Sequence, residues 1–215
     1  LNTELSSVFQ VKAKHSQNPP VEDTKGGALR ADARRNRERL LVAAHAVFSE
    51  RGADASLNDV AKRAEVGIGT LYRHFESREA LLAATCDEHL LTLAKKSRER
   101  SEALPALEAL RLFLTELVHS AGLYKGLAAS LGIVLKNHTA GCDATTAEGQ
   151  RLLEAAQREG EVRSDIRLDD VVCMAMAISL AAAEDASDPK RVPRLTGMFF
   201  DGLRSRTEPR GARQR

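Results

Sequence analysis

The chain has no tryptophan, two tyrosines and six phenylalanines, so aromatic residues make up only 4% of its 215 positions. A cage of aromatic faces around a cationic ligand is therefore disfavoured. Cysteine is scarce too: Cys86, Cys142 and Cys173 are odd in number and far apart. That argues against a disulfide framework and a paired-cysteine zinc site, and it suits a reducing compartment. Long apolar runs are missing. The longest, residues 171–183 with Ser179 inside it, falls well short of the ~20 residues of a membrane span. No charged start followed by an apolar stretch and a small-residue cleavage site marks a secretory leader. A cytoplasmic protein with no membrane partner is the expectation. No stretch alternates β-branched and polar residues between turns, which excludes strands from the expected fold, and no fixed repeat period is visible. Neither sign of charge dominates, since 32 Lys+Arg stand against 30 Asp+Glu; a surface for a polyanion has to be a local cluster. Hydrophobic residues, by contrast, make up 43% of the chain, enough for the core of one large domain or two small ones and too many for a disordered chain.

The apolar residues recur at helical spacing, so the expected fold is all-α. Residues 1–33 are polar, carry Pro19, Pro20, Gly26 and Gly27, and are expected to form a flexible basic arm. From Arg34 the pattern turns amphipathic, with Leu40, Ala44, Val47 and Phe48 on one face and a stop near Gly52. Ser56 is placed to cap a second helix bearing Leu57, Val60, Ala61 and Ala64. Leu71 and Phe75 stand four apart in a third segment, and Ser77 with Glu79 and Ala80 opens a fourth. Residues 34–82 are expected to form one small helical domain and 83–205 a larger one, with 206–215 a basic tail. Within the larger domain the pattern predicts helices over 81–100, 104–118, 127–135 and 152–158. It predicts a Gly- and Thr-rich loop over 141–149, a helix over 171–183 opened by Asp169 or Asp170, and a last helix after Asp188 and Pro189 with Leu195, Met198, Phe199 and Leu203 as its apolar face.

The most informative stretch is residues 56–75, SLNDVAKRAEVGIGTLYRHF. Two short helices joined by a tight turn and sealed by apolar residues describe a helix-turn-helix, whose second helix fits the DNA major groove. With Leu71 and Phe75 turned inward, Ile68, Gly69, Thr70, Tyr72, Arg73 and His74 form the outward set. With the segment Ser77, Arg78, Glu79, Ala80, Leu81 that follows, this stretch resembles the DNA-binding domain of the TetR family of transcriptional regulators. The resemblance covers about residues 36–94 and implies a role for each matching position. Gly69 and Tyr72 would approach bases or the adjacent backbone, Thr70 and His74 would bond to phosphates, and Arg78 would grip the backbone. Ser56 would cap the second helix while that helix's N-terminus faces a phosphate. Lys62 and Arg63 would add weaker contacts. Two residues depart from the common pattern: Glu65 stands in the turn where glycine is frequent, which costs roughly 1 kcal/mol in a left-handed conformation, and Ile68 offers a base an apolar contact. Upstream, Lys25, Arg30, Arg34, Arg35, Arg37 and Arg39 face only Asp32 and Glu38, a balance that suits a phosphate backbone or a minor groove as well as an ordinary solvated charge run.

The resemblance further implies a homodimer on a palindromic double-stranded DNA operator, acting as a repressor released by a small-molecule effector. It places pairing on the last two long helices, through Val171, Ala175, Ile178, Ala182, Leu195, Met198, Phe199 and Leu203; the alternative is that these helices are simply core. Leu110, Leu114, Leu131 and Leu135 are candidates for the effector pocket, although aliphatic stripes at helical spacing are core as often. No cofactor or metal is expected: His138 and Cys142 stand four apart but have no second pair, and His45, His89 and His119 have no spaced nucleophile or acid partner. The competing reading is a helical enzyme or adaptor that keeps a vestigial DNA-binding head.

Overall fold

The computed structural model describes residues 26–184 and 188–204. The first 25 residues of the expected arm and the basic tail lie outside them. Among the described residues the fold is helical, with one isolated bridge between Val162 and Arg204. The elements are α1 (Gly26–Arg51), α2 (Leu57–Arg63), α3 (Ile68–His74), α4 (Arg78–Ser101), α5 (Ala106–Ala121), a 3-10 turn (Leu127–Ser130), α6 (Leu131–Val134), α7 (Ala140–Arg158), α8 (Leu168–Glu184) and α9 (Arg191–Leu203). Helices α1 to α3 and the start of α4 share one small core of Leu40, Ala44, Phe48, Val60, Leu71 and Leu81, all fully buried. Helix α4 then runs on without a break into the larger bundle, where it packs chiefly against α7. The expected boundary at residues 82 and 83 thus falls inside one continuous helix, a rigid connection between the two halves.

Three sequence-based expectations differ from the structure. The arm is helical from Gly26, so α1 extends eight positions before the expected start at Arg34. The expected loop at 141–149 is the first half of α7, opened by Thr139, whose hydroxyl accepts from the Cys142 N–H at 3.2 Å. Its glycines mark a close crossing. A Cβ at Gly141 would lie 2.2 Å from the Asp87 carbonyl of α4, and one at Gly149 would lie 2.9 Å from Leu168 and 3.0 Å from Phe113. This crossing also holds a buried carboxylate: Glu148 is paired with Arg151 at 2.6 and 2.8 Å and accepts from Ser97. Finally, α8 opens at Leu168, with Asp169 and Asp170 already in its first turn. The face that α9 turns to the core is Thr196, Phe200 and Leu203, while Met198 stays 66% exposed.

The two halves also meet away from α4. Gly52, just after α1, has φ +88°, which lets Ala53 donate to the Lys125 carbonyl at 2.8 Å. A Cβ at Gly52 would lie 2.6 Å from that oxygen. Beside it the Tyr124 hydroxyl lies 2.8 Å from Nδ1 of His45, and the Tyr124 ring packs on Phe48. Burial pushes the Tyr124 hydroxyl well above its ordinary range and lowers the His45 imidazole. Both shifts favour the uncharged forms, so the pair is a neutral hydrogen bond across the joint.

Candidate nucleic-acid interface

The short helices α2 and α3 gain little from propensity and depend on their caps and on burial. Ser56 caps α2 as expected, its Oγ accepting from the Asn58 N–H at 3.2 Å. At the other end Glu65 takes φ +53°, the left-handed conformation that a side chain disfavours. Arg39 of α1 holds it there, 3.0 Å from its carboxylate and 3.3 Å from its carbonyl. The turn then delivers Gly67 to the start of α3, where Leu71 and Phe75 are buried at 0% and 4% exposure. Packing these two inward turns the opposite side of α3 out: Gly69 and Arg73 are exposed, Ile68 and Tyr72 are 37% and 51% exposed, and Thr70 and His74 are half-buried. A Cβ at Gly69 would meet nothing within 4 Å, so a backbone or a base has room to approach.

The basic residues around this face divide. Lys62 is exposed on α2. Arg63 is bound to both oxygens of Glu50 at 2.7 and 2.8 Å, which spends part of its charge within the head. Arg78 at the start of α4 is held by the head itself: its Nη1 donates to the carbonyls of Ala53 and Ala55 at 2.8 and 2.5 Å. It clamps the loop between α1 and α2 because those carbonyls have no helical partner. Arg34 and Arg35 are exposed on α1, near Glu38 and Asp32 respectively. Arg37 stacks over the Phe75 ring at 5.5 Å. The Arg39 and Arg37 contacts were missed in the sequence because each joins residues more than twenty positions apart.

In the larger half, four of the residues expected on a pairing face are core residues of their own subunit. Val171, Ala175, Ile178 and Leu203 are at most 4% exposed, and both α8 and α9 pack against α5. The outward side of α8 carries Cys173, Ala177 and Leu180 instead, with Ala182 half-buried. On α9, Met198 points out, and Leu195 and Phe199 are half-buried. The four leucines proposed as pocket lining, Leu110, Leu114, Leu131 and Leu135, are buried in the common core. None of them lines the cleft of about 480 Å³ found between the start of α5 and the end of α9, whose walls include Leu107, Arg111, Thr115, Glu161, Phe200 and Arg204. His138 and Cys142 part company: His138 is exposed, 3.1 Å from Asp143, while the Cys142 thiol is buried and donates to the Val134 carbonyl. Burial raises the Cys86 thiol to about 12 and raises Cys142 as well, so neither is an activated nucleophile.

Residues 40–85 match the family model of bacterial regulatory proteins of the tetR family. Residues 105–205 match that of the SbtR-like transcriptional regulator C-terminal domain. An HTH-type transcriptional regulator of Staphylococcus aureus (strain USA300) is 44% identical over 54 residues, 25% of this chain and 29% of that protein. The match thus spans under a third of the length of that curated relative. The TetR transcriptional regulator SCO0520 from Streptomyces coelicolor is 34% identical, over 79% of this chain and 99% of that one, with a TM-score of 0.48. The transcriptional regulator FadR from Bacillus subtilis, solved with stearoyl-CoA, shares the fold at 18% identity and a TM-score of 0.54, over 78% of this chain and 97% of that one. With both halves matched by regulator models and the reading head in place, the reading as an enzyme with a vestigial head falls away: the chain belongs to the TetR family of transcriptional regulators, with an N-terminal helix-turn-helix and a C-terminal regulatory domain.

Proposed function

We propose that the protein is a repressor that binds a palindromic operator as a homodimer through α3 and leaves it when a small molecule occupies the C-terminal half. One observation carries the reading. The head buries Leu71 and Phe75 completely enough to leave Tyr72, Ile68, Arg73 and the open backbone of Gly69 outward on a helix narrow enough for the major groove. In this reading Tyr72 and Gly69 meet bases, Ile68 meets a thymine methyl, Thr70 and His74 bond to phosphates, and the capped start of α2 at Ser56 faces another phosphate. A single such head offers few base contacts, and a two-fold dimer doubles them. The outward sides of α8 and α9, with Ala177, Leu180, Ala182, Leu195, Met198 and Phe199, are the proposed pairing surface. Small residues there admit close helix approach. The effector would lodge in the core among Leu110, Leu114, Leu131 and Leu135, and it would have to favour a state in which that core opens, since equal affinity for both states shifts nothing.

Selection of duplexes from a random pool, followed by binding of the selected operator and a scrambled duplex, tests the assignment. The parent is expected to prefer the operator by at least ~10³-fold. Thr70→Ala and Tyr72→Ala should lose most of that preference while keeping their fold. Variants that discriminate as the parent does would refute the recognition helix. In sedimentation, Met198→Glu is expected to shift the dimer toward monomer; an intact dimer would refute the pairing surface.

A further inference from the structure

The core of the head begins at Leu40, and the tetR family match begins at the same residue. Helix α1 nevertheless starts at Gly26, so its first 14 residues, about 20 Å of helix at 1.5 Å per residue, precede both. Along residues 30–39 the side chains are exposed apart from the half-buried Ala31 and Asn36. Five arginines, Arg30, Arg34, Arg35, Arg37 and Arg39, stand there against Asp32 and Glu38. No large apolar residue lies in that stretch, so it offers nothing to a hydrophobic partner or to a membrane interface, which would need Trp, Phe or Leu on one face.

The direction of the projection is fixed by two contacts. Arg39 is bonded to Glu65 in the turn between α2 and α3, and Arg37 lies over Phe75 at the end of α3. Helix α1 therefore leaves the head on the side that carries the turn and the end of the recognition helix. Arg30, Arg34 and Arg37 recur at spacings of four and three and form one stripe that continues outward from that contact. That stretch buries little, and beyond the Arg34–Glu38 and Arg35–Asp32 pairs its excess arginines repel one another, which leaves it marginal in water. A dense row of negative charge alongside would remove the repulsion. We infer that the projecting turns of α1 lie along the phosphate backbone of duplex DNA flanking the half-site, with Arg30, Arg34 and Arg35 contacting phosphates that the helix-turn-helix does not reach. This rests on the reading that α3 faces DNA. It adds affinity and footprint without base preference, because phosphate contacts carry no sequence.

The test compares the full chain with its Arg30→Gln/Arg34→Gln/Arg35→Gln variant on the selected operator, once trimmed to the half-sites and once with about ten base pairs of scrambled flank on each side. Binding is followed from low to moderate salt. Each phosphate contact contributes about 0.9 to the slope of log affinity against log salt. The parent is expected to bind the flanked duplex at least tenfold tighter than the trimmed one at low salt. The variant should lose that gain, show a slope shallower by about two to three for each head, and discriminate operator from scrambled duplex as before. Circular dichroism and thermal melting of the free proteins check that the bundle is intact. An unchanged slope, or an equal loss on trimmed and flanked duplexes, overturns the inference. Failure of the underlying reading looks different: the parent would then bind no duplex with preference, and Tyr72→Ala would change nothing.

Discussion

Replacing Gly52 by alanine probes the joint between the reading head and the regulatory half. Two costs add. The φ of +88° is a left-handed conformation that charges an alanine roughly 1–2 kcal/mol. The new Cβ would also stand 2.6 Å from the Lys125 carbonyl oxygen, a separation that backbone cannot tolerate, so the two loops move apart. The bond from the Ala53 N–H to that carbonyl, 2.8 Å long, breaks with it. Ala53 is 1% exposed, and a buried N–H left without a partner costs about 1–3 kcal/mol. Gly52→Ala is therefore expected to lose about 2–5 kcal/mol of stability.

A second glycine separates the two costs. Gly160, after α7, has φ +76°, but a Cβ there would meet nothing within 4 Å. Gly160→Ala should lose only the conformational part, about 1–2 kcal/mol. Urea unfolding of both variants gives the difference, and native-state hydrogen exchange localises it. The Ala53 amide should exchange faster in Gly52→Ala and at the parental rate in Gly160→Ala. Equal losses in the two variants, with the Ala53 amide still protected in both, would refute the claim that this contact ties the halves together.

The Glu65 turn yields a comparison of the opposite sign. Glu65→Gly and Glu65→Ala both lose the ion pair with Arg39, whose partners are 44% and 86% exposed and which is worth at most ~1 kcal/mol. Only glycine relieves φ +53°, so Glu65→Gly should be the more stable by about 1 kcal/mol in urea unfolding; an alanine variant as stable as the glycine one would mean the turn stores no strain. A pH dependence follows from His45 and His89, both lowered below the usual imidazole value of 6.5 mainly by burial, with Lys96 adding to the effect at His89 and Glu116 opposing it. The unfolded chain then binds protons first. Stability should be full above about pH 6.5 and fall as pH drops through the depressed folded values. His45→Gln/His89→Gln should flatten that fall in denaturant titrations between pH 7.5 and 5.5, and a parent whose stability rises on acidification would contradict the burial argument.

The head was legible in the sequence because its signals are local. Ser56 caps within two residues, Leu71 and Phe75 are one helical turn apart, and the left-handed Glu65 was visible as a non-glycine residue where the turn needs a positive φ. The rest depended on contacts across long separations. Gly141 and Gly149 look like loop residues in composition, and only the approach of Asp87, Phe113 and Leu168 to within about 3 Å shows that they permit helices to cross. The Arg78 contacts were hidden for the same reason: the carbonyls of Ala53 and Ala55 that it holds lie more than twenty positions before it.

The last two helices show the limit most clearly. Apolar residues run nearly all the way round α8, so periodicity alone could not say which stripe packs inward, and the stripe through Val171, Ala175 and Ile178 was equally good for a core or a partner. Packing within the subunit takes that stripe and leaves Cys173, Ala177 and Leu180 outward. A helix with two apolar faces needs two neighbours, one of them within the chain. Leu180 at 45% exposure and Met198 at 66% have none among the described residues to cover them, and leaving a full apolar face in water forgoes about 25 cal/mol for every Å². The sequence leaves two apolar sides on α8, the subunit fold shows which one is its own, and the other is the side that the proposed dimer would cover. On α8 the pairing residues Ala177 and Leu180, proposed from the fold, therefore stand two positions along from Ala175 and Ile178 of the inward stripe, roughly 200° around the helix, on the side opposite the subunit's own core.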